Sequence, residues 1–164
     1  EKFIIKSFNF LTLKPMLYAY NVDEDEVNDH PENGIAICAK IESELSELDE
    51  TSAKEYMKTL GMEETGLNKL IKESYKALNL ITFLTSGPKE SRAWTIERGT
   101  KAPQAAGKIH TDFENGFIRA EIINWQDLLD CGGEAHAKEK GLIRLEGKDY
   151  VFQDGDVTVF RFSN

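Results

Sequence analysis

Behind Pro15, residues 16–20 (MLYAY) form an apolar run of strand length with no polar alternation, the pattern of a strand buried on both faces in a parallel sheet. Residues 23–34 (DEDEVNDHPENG) then turn polar, with His30-Pro31 and Asn33-Gly34 as turn signals. Ile35 to Ala39 reads as a second short buried strand. The spacing of Ile41, Leu45 and Leu48 predicts an amphipathic helix with its acidic residues outward. Residues 53–60 are also expected to be helical, with Gly61 at the helix end. A third helix is expected over residues 66–78, directing Leu67, Leu70, Ile71, Tyr75 and Leu78 toward a core. Strand, loop, strand and helices over residues 14–78 make the back half of an α/β domain, and residues 1–13 read as a tail arriving from elsewhere in a longer polypeptide.

Near Asn79 the period of the pattern changes. Residues 80–85 and 93–96 are strand-like around a turn at Ser86-Gly87-Pro88. Pro103 opens a helix expected over 105–113, Asn115-Gly116 turns into a strand over 117–123, and a short helix over 125–129 stops at Gly132-Gly133. Residues 142–145 and 150–152 are expected to form a hairpin, and the run Val157, Val159, Phe160, Phe162 to fill a central strand. Two strands, a helix across the sheet and further strands predict an α+β module of the β-grasp, ubiquitin-like kind over residues 79–164.

Composition narrows the class. A 164-residue chain with 40% hydrophobic and 30% charged residues is typical of a soluble globular protein with one good core or two small ones. No apolar run approaches a membrane span, and the opening EKFIIKSFNF lacks the apolar stretch of a signal peptide, so a cytoplasmic chain is expected. Cys38 and Cys131 have no CxxC or Cys/His metal spacing and read as reduced thiols. A formal net charge of -9 argues against coating nucleic acid, DNA included, with the whole chain. That charge is uneven: residues 1–78 hold 9 Lys/Arg against 16 Asp/Glu, whereas residues 79–164 hold 11 against 13, leaving room for local basic faces.

The chemistry-bearing feature is Asn21-Val22-Asp23-Glu24, at the exit of the first apolar run. Ligands of α/β sheets sit at the carboxyl ends of the strands, where an Asn and a carboxylate can read a base edge; the same four residues could equally shape an Asx turn. The chain has no GxxxxGK[ST] loop to cradle phosphates and supply a lysine and a magnesium-bound hydroxyl.

Residues 92–122 (RAWTIERGTKAPQAAGKIHTDFENGFIRAEI) and 141–162 (GLIRLEGKDYVFQDGDVTVFRF) resemble the TGS domain of YchF-type ribosome-binding ATPases, also called Obg-like ATPases, and the resemblance extends over nearly the whole chain. It implies that residues 1–13 are a return segment from an inserted helical domain, 14–78 the carboxyl-terminal part of an incomplete P-loop nucleotide-binding domain, and 79–164 a TGS domain. It also implies a translation-linked nucleoside triphosphatase that docks on ribosomal RNA and proteins, using ATP, GTP more weakly, and Mg2+, with the phosphate machinery upstream and no hydrolysis by this piece alone. Asn21, Val22 and Glu24 fall on that family's base-specificity motif, and Cys38, Ala39 and Lys40 on its second base-contacting loop, where Cys38 stands at the usual serine position. Compared with the NKxD of GTPases, Glu24 is one methylene longer than the Asp that anchors guanine, and misaligned hydrogen bonds weaken steeply. Asn21 is therefore assigned to adenine N7 and the backbone around Val22 to the exocyclic amine.

In the second half, Lys101, Lys108, His110 and Arg119 lie among Trp94, Phe113 and Phe117, a pattern that fits either an RNA footprint or ordinary core aromatics with solvated cations, the latter favoured. His110 reads as a surface RNA contact or a capped structural histidine, the structural role favoured; a hydrolase dyad with Asp112 is not expected, because positions two apart on a helix do not face each other. His136 and Cys131 have no ligand company, and no metal site is expected. The rival reading is a free-standing β-grasp adaptor that binds RNA or protein without hydrolysis.

Overall fold

The computed structural model describes residues 7–29, 32, 34–87 and 90–163. The turn signals at His30-Pro31, Asn33 and Pro88, and residues 1–6 of the tail, lie outside the described residues. The chain divides into two compact units, residues 1–78 and 79–164.

In the first unit, β1 (Tyr18–Asn21) and β2 (Gly34–Ile37) run parallel, with Tyr18 opposite Gly34 and Asn21 opposite Ile37. A glycine suits position 34 because the Tyr20 ring occupies the space a Cβ would need. Three helices follow: α1 (Ala39–Glu47), α2 (Glu50–Thr59) and α3 (Gly66–Ala77). Asp49 caps α2 by accepting from the amides of Thr51 and Ser52, and Thr65 caps α3 by accepting from the amide of Asn68, which satisfies amides that lack a partner within the helix. A small core forms from Val27, Cys38, Ile41, Leu45 and Met62, with Tyr56, Met57 and Leu60 packed against it.

Two expectations about this unit are corrected. All four residues of β1 are exposed, since among the described residues β2 is its only strand neighbour. Along α3 and at its C-cap, Leu67, Ile71 and Leu78 are 54%, 48% and 57% exposed instead of buried, whereas Leu70 and Tyr75 are half-buried, so among the described residues part of the apolar stripe lies open.

The second unit closes its own core. Its mixed sheet has the order β4-β3-β7-β5-β6, built from β3 (Leu80–Ser86), β4 (Ser91–Glu97), β5 (Phe117–Asn124), β6 (Arg144–Glu146) and β7 (Asp156–Phe162). The final strand β7 is central, parallel to β3 and antiparallel to β5. Helix α4 (Ala102–Gly107) packs on one face through Ala102, Ala105 and Ala106, whose small side chains let the helix sit close over Phe83, Phe117, Phe152 and Phe160. Pro103 is tolerated because the first helical turn has no intrahelical partner for its missing N–H.

Residues 105–113 are not one helix. Helix α4 ends at Gly107, His110 is extended, and a separate short helix α5 (Thr111–Asn115) follows. Nor do residues 142–145 and 150–152 pair as a hairpin: β6 pairs with β5, and Val151 forms a bridge with Lys101. The intervening loop is fixed by buried Asp156, which accepts hydrogen bonds from Tyr150 Oη and the Gln153 amide, both at 2.8 Å. Helix α6 (Trp125–Asp130) covers part of the other sheet face; its Trp125 indole lies against Gly155, where a φ of 81° and the absence of a Cβ are both required. Helix α7 (Glu134–Glu139), beyond Gly132-Gly133, was not legible in the sequence.

Candidate functional site

At the carboxyl ends of the two parallel strands the chain builds a corner. Val22 donates its amide to the Ile37 carbonyl at 3.0 Å, extending the strand pairing by one residue, and Asn21 Oδ1 accepts from the Ala39 amide at 3.1 Å. The Asn21 bond holds its amide oxygen inward and leaves Nδ2 as the group able to donate outward. A 310 turn over Glu24–Glu26 then folds back, and Lys40, in the first turn of α1, forms an ion pair with Glu24. That pairing holds the Lys40 ammonium pKa above its ordinary value, chiefly through the hydrogen bond to Glu24.

Asn21, Val22, Glu24, Cys38, Ala39 and Lys40 all line one cavity of about 370 Å3, together with Asp23 and Asp25, which sequence reasoning did not assign to it. Cys38 is buried, its side chain belonging to the core with Val27 and Ile41, so what it offers the corner is backbone. The corner thus holds one outward side-chain amide, the Val22 carbonyl and a carboxylate–ammonium pair. The Glu24–Lys40 contact was missed in the sequence, where the two stand 16 positions apart; the available signal was their opposite charge just past the ends of two successive strand-like runs.

The four cationic candidates of the second unit are not brought to one patch. Lys101 and Lys108 cap opposite ends of α4, and the Lys101 ammonium pairs with Asp149 at 2.8 Å. Arg119 sits opposite Arg161 on neighbouring strands; because Ala120 and Ile122 point into the core beneath α4, strand alternation puts Arg119 on the other face. His110 caps α5, its Nδ1 accepting from the Asp112 amide at 3.2 Å. The helix geometry assumed for His110 and Asp112 is corrected: His110 is an extended cap residue and not part of the helix, so its Nδ1 also lies 3.4 Å from Asp112 Oδ2. Phe117 is buried in the core, and Trp94 stacks on Phe83 while donating its Nε1 to Thr85 Oγ1 at 3.0 Å, with the Arg92 guanidinium 4.3 Å from the ring centroid.

Among the described residues no group of three or more His, Cys, Asp or Glu could hold a metal ion, and no helix is long and apolar enough to cross a membrane. The magnesium implied for a nucleoside triphosphatase does not fit these residues, since the carboxylates lining the cavity form no ligand cluster and one of them, Glu24, is already paired with Lys40.

A family model described as "YchF-GTPase_C: Protein of unknown function (DUF933)" matches residues 80–163. The chain is 51% identical over 172 residues to a Haemophilus influenzae protein called "Ribosome-binding ATPase YchF", covering 97% of this chain and 47% of the relative. It is 49% identical over 176 residues to the Bacillus subtilis protein of the same name, covering 98% and 48%. Among solved structures, the Schizosaccharomyces pombe YchF GTPase superposes with a TM-score of 0.83 at 37% identity, over 96% of this chain and 46% of that one. The chain therefore spans about half the length of the curated relatives it matches.

Proposed function

The chain belongs to the YchF-GTPase_C family, and on that premise we propose that it supplies the base-reading corner and a TGS-type β-grasp module of a ribosome-associated nucleoside triphosphatase that prefers ATP to GTP. The observation that carries this reading is the Asn21–Ala39 bond. With Oδ1 turned to the Ala39 amide, Nδ2 is the group of Asn21 left to face a ligand, a donor that suits N7 of a purine, and with the Val22 amide given to Ile37, the backbone of Val22 has only its carbonyl to offer a base. A carbonyl accepts from the exocyclic amine of adenine and opposes the O6 acceptor of guanine, so the same two bonds favour one purine over the other.

Several features support the rest of the reading. Parallel strands are ordinarily buried in wider sheets, and a pair of four-residue strands with no further strand beside it among the described residues suits a place within a larger nucleotide-binding domain. The β4-β3-β7-β5-β6 order with α4 across one face supports the β-grasp reading. Ribosome docking rests on the names of the curated relatives. Phosphates and magnesium would be held outside these two units, so this chain alone should not hydrolyse nucleotide.

The test is the double substitution Val22→Lys with Glu24→Asp in the whole protein, with affinities measured for ATP and GTP. The ratio is expected to swing toward GTP, and an unaltered preference sinks the assignment. Co-sedimentation of the whole protein with ribosomes, with and without ATP, tests the docking. A second reading, a β-grasp adaptor acting without hydrolysis, draws on the self-contained core of residues 79–164. It wins if the encoding gene specifies no GxxxxGK[ST] loop.

A further inference from the structure

Resting on that assignment of the corner, we infer that Lys40 is a positioning residue for base selection: it holds the Glu24 carboxylate in an ion pair and so denies guanine its anchor. Guanine presents two donors on its Watson–Crick edge, N1–H and N2–H, and a site that reads them needs a free carboxylate. A carboxylate is at hand, since Glu24 lines the cavity beside Asn21 and Val22. One methylene of extra length is a weak defence on its own, because a flexible side chain at the start of a 310 turn can move to meet a strong pair of donors. Lys40 supplies what length alone does not. Its Nζ takes Glu24 Oε1, so the guanine edge meets an ammonium group's donors where it needs an acceptor.

The lysine is itself placed by the fold. It lies in the first turn of α1, whose start is tied to β1 by the Asn21–Ala39 bond, so the adenine-reading amide and the ammonium are set by one short segment. One turn further along α1, Glu44 attracts the same ammonium and accepts a hydrogen bond from Tyr56 Oη at 2.5 Å. Lys40 is thus drawn by acids on both sides, Glu24 toward the cavity and Glu44 toward α2. The pair is half-exposed as it stands, with 66% and 45% of the two side chains accessible, and a base lying in the cavity would strengthen it by removing water.

The experiment uses the whole protein and equilibrium titration with fluorescently labelled ATP and GTP. Lys40→Gln is expected to shift the ratio of GTP to ATP affinity toward GTP by about tenfold, with GTP binding tightened, the scale of one charge-assisted hydrogen bond. Lys40→Arg, able to make the same ion pair, is expected to keep the parent ratio, and the double variant K40Q/E24Q to lose the GTP gain. An unchanged ratio in Lys40→Gln, or equal GTP affinity in K40Q and K40Q/E24Q, overturns the inference while leaving the corner assignment standing. Asn21→Ala separates the two: if ATP affinity survives that change, the base does not sit in this corner and both claims fall.

Discussion

The two units of this chain spend similar numbers of apolar residues to different ends. In residues 79–164, Phe83, Phe117, Phe152 and Phe160 meet from four segments under a helix of alanines, and the sheet's longest strands flank a central one. In residues 1–78, Tyr18, Tyr20, Leu67, Ile71 and Leu78 remain 43% to 57% exposed, and the connected buried cluster is five residues around Ile41 and Leu45. Hydrophobic patterning is therefore no guarantee of burial: a strand or helix buries its apolar face only if the partner layer is present. The first unit carries the polar corner at its strand ends and the second the larger closed core.

The largest expected contrast is between the units expressed separately. Residues 79–164 should unfold cooperatively with about 5 kcal/mol or more of stability and slow amide exchange in β3, β5 and β7, whereas residues 1–78 should show little exchange protection or self-associate. Sharp, well-dispersed amide signals across residues 14–78 in a dilute monomer would break the comparison.

A smaller effect comes from the core of the second unit. Phe83→Ala removes the ring that touches Trp94, Phe152 and Phe160, and should cost about 3 to 5 kcal/mol in urea unfolding. Next comes alkaline pH. Burial, reinforced by the hydrogen bond to Asp156 and opposed by Arg144, pushes the Tyr150 phenol up to about 12 from an ordinary value of 10.0. A raised folded-state pKa favours the neutral form, so this contribution is fully present below pH 10 and is lost as pH rises from about 10 to 12. Stability measured across that range should fall less steeply in Tyr150→Phe than in the parent; parallel profiles would refute the role given to the hydroxyl. The smallest effect is expected from Leu67→Ala on the exposed stripe of α3, within about 0.5 kcal/mol in this chain. A substantially larger loss in the whole protein would show that the stripe is covered there.

Strands β3, β4, β5 and β7 were legible because their apolar runs are bounded by turn residues, and the polar corner proposed to read a base was located because Asn21 and Glu24 directly follow such a run. Helix α7 was not, since residues 134–139 (EAHAKE) contain one buried position, Ala137, and no apolar period to detect. The false hairpin at 142–152 has a related cause: alternation marks a segment as extended but says nothing of its neighbour, and here β6 chose β5 while Val151 met Lys101.

What the chain determines by itself is local: where it extends, where it coils, which residues cap, and which polar groups emerge at the end of the first strand. Partner choice came only with tertiary structure, including the parallel seating of β7 beside β3, the burial of Asp156 under Tyr150, and the meeting of Lys40 with Glu24. The reason is that periodicity records the surroundings of each residue averaged over one element. Contacts between residues 16 or 72 positions apart depend on how whole elements are placed, as the ion pair at the corner and the bond from the Thr82 amide to Asp154 both show.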